Sequence, residues 1–203
     1  VEDAHAAGIV HRDLKPENIV ISEGRDGETA KVLGFGLAKL FEGTVEAQVT
    51  SSGTIVGTPY YMSPEQIQGQ ELDGRSDVYA IGAIMYECIV GKPPFEAPNP
   101  VGVLSKHLSE EPLRPSTRSP LSVPAEADEI ILRCLEKDPE RRYQSAGELA
   151  RDIRRYLADE AIEAKRDSTL YVLRKQVTAP YTHLSPPTIP PHHPPAVPCS
   201  LKN

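Results

Sequence analysis

Apolar positions along this chain recur with two periods. Val78, Ile81, Ile84, Met85, Cys88 and Ile89 follow helical spacing and predict an amphipathic helix over 77–90. Asp77 is its expected N-cap, and Gly91 with Pro93 and Pro94 its stop. Asn99-Pro100 opens a second helix running to about Ser109, because proline suits the first helical position. Ala125 to Glu136 carries Ile130, Ile131, Leu132 and Leu135 on one side. Ser145-Ala146-Gly147-Glu148 has the form of a capping box, and Leu149, Ile153, Tyr156 and Leu157 continue a core face behind it. Val1 to Ala7 reads as a helix end stopped by Gly8. Two short β-type runs, Ile19-Val20-Ile21 and Lys31-Val32-Leu33, flank a turn cluster at 23–27 and predict a hairpin. Pro112 to Pro124 reads as a connection. The sum is a mainly α chain of the α+β class, a short β-hairpin followed by successive helices.

Composition narrows the picture further. A chain of 203 residues that is 39 % hydrophobic has room for one domain with a sizeable core. A net charge of -7 argues against nucleic acid or an anionic membrane surface as partner. No apolar run reaches about 18 residues and no leader pattern opens the chain, so no membrane segment is expected and the expected location is cytoplasmic. A longer parent protein would still be free to carry an anchor, and Val1 in place of Met suggests such a parent. Cys88 and Cys134 sit in helical patterns and are expected to be buried free thiols; Cys199 is remote from both, so a zinc site is not expected. Beyond about Lys165 the character changes, with eight prolines between Pro180 and Pro198. Residues 168–203 are expected to be a disordered tail. Its P-x-x-P spacings suit a polyproline ligand, and His192-His193 is either a metal-binding pair or part of a solvated tail. A reading-frame change near the end of the gene would produce the same composition.

Chemistry concentrates in one octapeptide, His11-Arg12-Asp13-Leu14-Lys15-Pro16-Glu17-Asn18. Phosphoryl transfer to a hydroxyl requires a carboxylate to orient and deprotonate it, a cation near the transferring phosphate, and an oxygen ligand for magnesium. Asp13, Lys15 and Asn18 supply those three groups. A capped turn is the plainer account, since Asp, Pro and Asn are all turn residues. The flanking sequence decides between them. The octapeptide fits the catalytic-loop pattern H-R-D-L-x-x-x-N at every fixed position and is followed by a hairpin and Gly34-Phe35-Gly36.

From residue 1 to about 160 the chain resembles the C-terminal, large lobe of a bacterial serine/threonine protein kinase of the eukaryotic-like type. The resemblance implies a partial kinase domain over 1–160, then a helix extension and the Pro-rich tail over 161–203. It implies ATP and Mg²⁺ as cofactors and protein substrates or docking partners. In the family the position of Gly34 is an Asp that holds magnesium, and glycine has no side chain with which to do so. The polar stretch 40–56 would be the activation loop, with Thr50, Ser52 and Thr54 as candidate phosphosites that pair with Arg12. Gly57 and Thr58 would receive the substrate, with Thr58 bonding Asp13 and Lys15; Ser63-Pro64-Glu65 varies the family's Ala-Pro-Glu. Buried Glu65 would pair with Arg142, Asp77 would brace the catalytic-loop backbone, and His11 would be structural. No glycine-rich phosphate loop, strand lysine or helix glutamate precedes the octapeptide. The expectation is a serine/threonine kinase fragment with little or no activity and an exposed face around Phe35 and the hairpin. The alternatives are a pseudokinase-like interaction module and a truncated, decayed gene product.

Overall fold

The computed structural model describes residues 1–24, 27–35, 59–165 and 171. A short helix, α1 (Glu2–Ala6), ends at Gly8, whose φ of 72° permits the reversal. An extended stretch and a 3-10 turn (Pro16–Asn18) lead into an antiparallel hairpin, β1 (Ile19–Gly24) and β2 (Gly27–Val32). Pairing runs from Ile19 with Val32 to Gly24 with Gly27, so the turn is tighter than the expected cluster at 23–27. A 3-10 turn (Pro59–Tyr61) precedes α2 (Pro64–Ile67), α3 (Gly74–Val90), α4 (Pro100–Ser109), α5 (Pro115–Arg118), α6 (Ala125–Cys134) and α7 (Ala146–Leu157). The mainly α reading with one small hairpin holds. The connection expected over Pro112 to Pro124 contains α5, whose first residue Pro115 is buried.

Helix α3 is the axis of the body. Val78, Tyr79, Ala83 and Tyr86 are fully buried, and they lie on different sides of the helix rather than along one stripe. One cluster gathers Leu14, Tyr61, Tyr79, Ile84, Tyr86 and Leu135; the other gathers Val78, Ile130, Cys134, Tyr143, Leu149 and Ile162. A helix buried on most of its sides has no clear amphipathic stripe to read, which explains two corrections. Cys88 is exposed, not buried, and Ile81, Met85 and Ile89 only partly enter the core. The helix also begins earlier than expected. Asp73, not Asp77, is its N-cap, accepting from Arg75 N–H at 2.8 Å, and Asp77 lies inside the first turn. The frequency of capping Asp residues made Asp77 plausible, but its carboxylate is directed inward to other donors.

The later helices show similar refinements. Asn99 caps α4 through Gly102 N–H at 2.8 Å, as Asn-Pro predicts. Ser145 caps α7 by accepting from Glu148 N–H, while Glu148 reaches back to Gln144 N–H rather than to the cap itself. Leu157 is exposed, contrary to its expected core position, because α7 ends there. The interior place opposite it is taken by Asp152, whose carboxylate accepts from Tyr143 O–H, Glu163 N–H and Ala164 N–H. Those bonds, with wholly buried Ile162, carry the packed body to Lys165. Of the expected tail only Tyr171 is described, packed against the second cluster with its hydroxyl accepting from Ile162 N–H at 3.3 Å; the rest, with Cys199 and His192-His193, lies outside the described residues.

A Cβ at Gly82 would collide with Cys134 Cβ, so α3 and α6 touch through this glycine. Gly82→Ala is expected to lower unfolding free energy by about 1–3 kcal/mol in urea melts, with part recovered in Gly82→Ala/Cys134→Gly; an unchanged midpoint would mean that the helices do not meet there. Buried His107, bonded through Nδ1 to Tyr79 O–H at 2.8 Å, has its pKa lowered to about 3 by burial and then by the charge of Lys137, against an opposing Tyr60 backbone contribution. Its folded pKa lies below the unfolded 6.5, so this stability is complete above pH 6.5 and is lost as pH falls toward 3. Between pH 7 and pH 5 the wild type should lose up to about 2 kcal/mol from this group. His107→Gln should show a flatter acid slope in the same melts.

Candidate active site

The octapeptide is held by its backbone before its side chains act. Asp77, 1 % exposed, accepts from His11 N–H at 2.8 Å and from Arg12 N–H at 2.9 Å. A third donor is His5 Nε2, also at 2.8 Å; a carboxylate only accepts, so this nitrogen carries the hydrogen. On the other side, Gln66 Nε2 donates to the Arg12 carbonyl at 2.6 Å. Arg12 has φ of 68°, a left-handed conformation that costs a non-glycine residue of order 1 kcal/mol. Bonds to both faces of its peptide hold it there, and this kink sets the direction in which Asp13 leaves.

His11 joins the loop to the segment after the hairpin. Its Nε2 donates to the Leu33 carbonyl at 2.7 Å, its Nδ1 faces Asp13 N–H at 3.3 Å, and its ring meets Phe35 edge-on at 4.8 Å. Leu33 N–H also donates to the Asn18 carbonyl at 2.8 Å. Gly34 is thereby fixed beside the octapeptide. A Cβ built on it would lie 3.6 Å from His11 Nε2 and 4.0 Å from Asn18 Nδ2, so its side-chain direction opens onto the same space. Its φ of 90° strains most side chains, and Asp and Asn tolerate the region better than most.

The three chemistry-bearing side chains converge. Lys15 Nζ is 3.0 Å from Asp13 Oδ2, and Asp13 is 65 % exposed, so its carboxylate remains open to an incoming group. Asn18 Nδ2 donates to the Asp13 carbonyl at 2.7 Å and faces its carboxylate at 3.3 Å. With its amide hydrogens on Asp13, Asn18 has its amide oxygen left to meet a cation. Among the described residues, no cluster of three His, Cys, Asp or Glu could hold a metal ion. No helix among them is long and apolar enough to cross a membrane. On the hairpin and just after it, Val20, Ile21 and Leu33 are each exposed.

Glu65 and Arg142 meet below the site. Arg142 Nη1 and Nη2 grip the two Glu65 oxygens at 2.7 and 2.8 Å, and Ser76 O–H adds 2.7 Å. The remaining guanidinium donors reach the carbonyls of Glu136, Lys137 and Arg75. Burial would raise the Glu65 pKa, but the hydrogen bonds and charge of Arg142 outweigh it, so Glu65 titrates below the ordinary carboxylate range. Gly36, Thr50, Ser52, Thr54, Gly57 and Thr58 lie outside the described residues.

Residues 1–153 match the family model described as the protein kinase domain. The chain belongs to the protein kinase domain family. Within it, the chain is 46 % identical over 149 residues to serine/threonine-protein kinase pkn3 of Myxococcus xanthus, covering 72 % of this chain and 27 % of that protein. It is 40 % identical over 163 residues to PknB of Mycobacterium tuberculosis, covering 80 % and 25 %. A probable serine/threonine-protein kinase of Streptomyces coelicolor is 42 % identical over 164 residues, covering 81 % and 24 %. These relatives mark the bacterial, eukaryotic-like serine/threonine branch, and the chain spans about a quarter of their length.

Two residues that hold this loop in place escaped the sequence reading. Gln66 had a local signal, since Ser63-x-x-Gln66 is a capping-box pattern and both halves of the box form. His5 had none, because its partner Asp77 is 72 positions away. Replacing Arg142 by Met should cost about 3–5 kcal/mol by leaving Glu65 buried without its cation. Urea denaturation of Arg142→Met and of Glu65→Leu/Arg142→Met checks this; the double variant should recover a large part, and a mild single loss would mean water reaches Glu65.

Proposed function

We propose that the chain is the catalytic-loop portion of a serine/threonine protein kinase, transferring the γ-phosphate of Mg-ATP to protein hydroxyls, with transfer strongly impaired by Gly34. The observation that carries the reading is the convergence of Asp13, Lys15 and Asn18 on an exposed face. Asp13 is the base that orients and deprotonates the acceptor hydroxyl. Lys15 offsets charge on the transferring phosphate. The Asn18 amide oxygen is a magnesium ligand. Thr58, Lys15 and the Ser63-Pro64-Glu65 segment favour serine and threonine over tyrosine, and the acceptor enters over Gly57 and Thr58. Phosphate on Thr50, Ser52 or Thr54 pairs with Arg12.

The metal site fits magnesium only in part. Asn18 offers an oxygen, but position 34, whose side-chain direction opens onto Asn18, has nothing to offer. Positioning and charge neutralisation supply nearly all the rate enhancement in phosphoryl transfer, and a missing carboxylate weakens both. This favours a second reading, in which the domain acts mainly as a docking module. Retention of all three octapeptide groups weighs against it, because docking has no chemical need for them.

The DNA preceding the Val1 codon is the first check, since it either encodes a phosphate loop and strand lysine or does not. In the protein so defined, labelled-ATP transfer to a generic protein substrate should rise at least about tenfold in Gly34→Asp, or about 1.4 kcal/mol of barrier. Gly34→Ala carries the backbone strain without the carboxylate and should show no gain. Equal rates in wild type and Gly34→Asp would remove position 34 from the metal site; ATP-independent capture of a defined partner with no rate gain would favour the docking module.

A further inference from the structure

A cavity of about 190 Å³ lies between α6 and α7, lined by Arg133, Tyr143, Glu148, Arg151, Arg155 and Glu163. Arg133 comes from α6, and Glu148, Arg151 and Arg155 share one face of α7. Tyr143 stands in the turn before α7, and Glu163 opens a 3-10 turn (Glu163–Lys165). Three guanidiniums against two carboxylates make a local positive excess on a chain whose net charge is -7. The volume lies below the roughly 300 Å³ at which small-molecule pockets begin, so the cavity suits a charged head rather than a whole cofactor.

The acids around it are engaged. Arg155 Nη1 donates to Glu163 Oε1 at 2.7 Å, and Glu148 accepts from Gln144 N–H at 2.8 Å. Asp152, buried beneath, accepts from Tyr143 O–H, Glu163 N–H and Ala164 N–H and lies 3.6 Å from Arg155. The other two guanidiniums are not engaged. Arg133 lies over the Tyr143 ring, 4.4 Å from its centroid, which occupies the face of the group and leaves its N–H edge unspent. Arg151 is exposed and makes no hydrogen bond or ion pair among the described residues. By contrast Arg75, Arg114, Arg118, Arg141 and Arg142 each meet a carboxylate. Tyr143 is buried and the remaining wall is charged, so no flat apolar surface is left for a base.

We propose that this cavity binds the dianionic head of a phosphate monoester, whose oxygens bridge Arg133 and Arg151. Three terminal oxygens can accept from two guanidiniums that arrive from different helices, whereas the two oxygens of a carboxylate match a single fork. Glu148 opposes the dianion and keeps the affinity modest, while Arg155 offsets Glu163. The same head comes from phosphoserine or phosphothreonine on a protein or from a small phosphorylated metabolite.

The test uses the full chain without nucleotide and reads binding alone, so its failure leaves the kinase reading untouched. A tripeptide amide carrying phosphoserine and, in a second arm, glycerol 3-phosphate are titrated while the arginine side chains are followed by ¹H–¹⁵Nε NMR. The phosphopeptide should move the Arg133 and Arg151 signals saturably, with a dissociation constant of about 1 mM or tighter. Tighter binding of the peptide would assign the site to a phosphorylated protein, and tighter binding of glycerol 3-phosphate to a metabolite. Arg151→Gln, on an exposed residue that makes no bond within the described fold, should weaken binding about threefold or more. Arg133→Lys keeps a cation but loses the fork and should weaken it by a similar factor. Arg154→Gln, exposed on α7 outside the cavity, should leave binding unchanged. No saturable shift, equal affinity for the unphosphorylated peptide, or an equal loss in Arg151→Gln and Arg154→Gln would overturn the proposal.

Discussion

A carboxylate taken out of water must be surrounded by donors, or it becomes one of the most expensive groups in a protein. Asp77 meets that demand by drawing three N–H groups from two separate parts of the chain, His5 and the His11–Arg12 backbone. Because it sits in the first turn of the most buried helix, it transmits the rigidity of α3 to the octapeptide. The left-handed backbone at Arg12 is held by this carboxylate at its N–H and by Gln66 at its carbonyl. Asp13, Lys15 and Asn18 then come together on a loop that has no regular structure of its own for most of its length.

Glu65 and Arg142 apply the same rule with the charges paired. Five guanidinium donors meet five acceptor contacts, and the pair joins α2, the start of α3 and the turn before α7. Such a pair is weak evidence for high stability but strongly opposes any arrangement that leaves one partner alone. It therefore keeps the segment after Tyr61 in register with the helices beneath it. Asp152 does a comparable service at the other end, binding residues 163 and 164 to α7 so that the body continues past the family match at 153.

Gly34 is the place where the fold and the chemistry separate. His11, through the Leu33 carbonyl and the edge of the Phe35 ring, sets this segment against the octapeptide with no side chain needed at position 34. A metal ligand contributes to the bound state of a nucleotide, not to the packing of the free chain. The fold asks only for a residue that accepts the φ of 90° at position 34, which glycine does without strain.

Local signals carried much of this protein. The hairpin, the Asn99 cap, the Gly91 stop and the closeness of Asp13, Lys15 and Asn18 were legible because each depends on neighbours within a few residues. The Glu65–Arg142 pairing was legible only through family resemblance. Tertiary structure decided what depends on distant partners. Asp77 was expected as a cap and, by resemblance, as a brace for the catalytic loop; donors 65 and more positions away hold it to the second role and leave the capping to Asp73. Cys88 and Leu157 looked interior by period, but α3 is buried on nearly every side and α7 ends at 157, so periodicity lost its meaning at both. His5 had no local sign at all. Its role comes from the inward turn of Asp77, a contact that sequence spacing cannot express and that folding alone brings about.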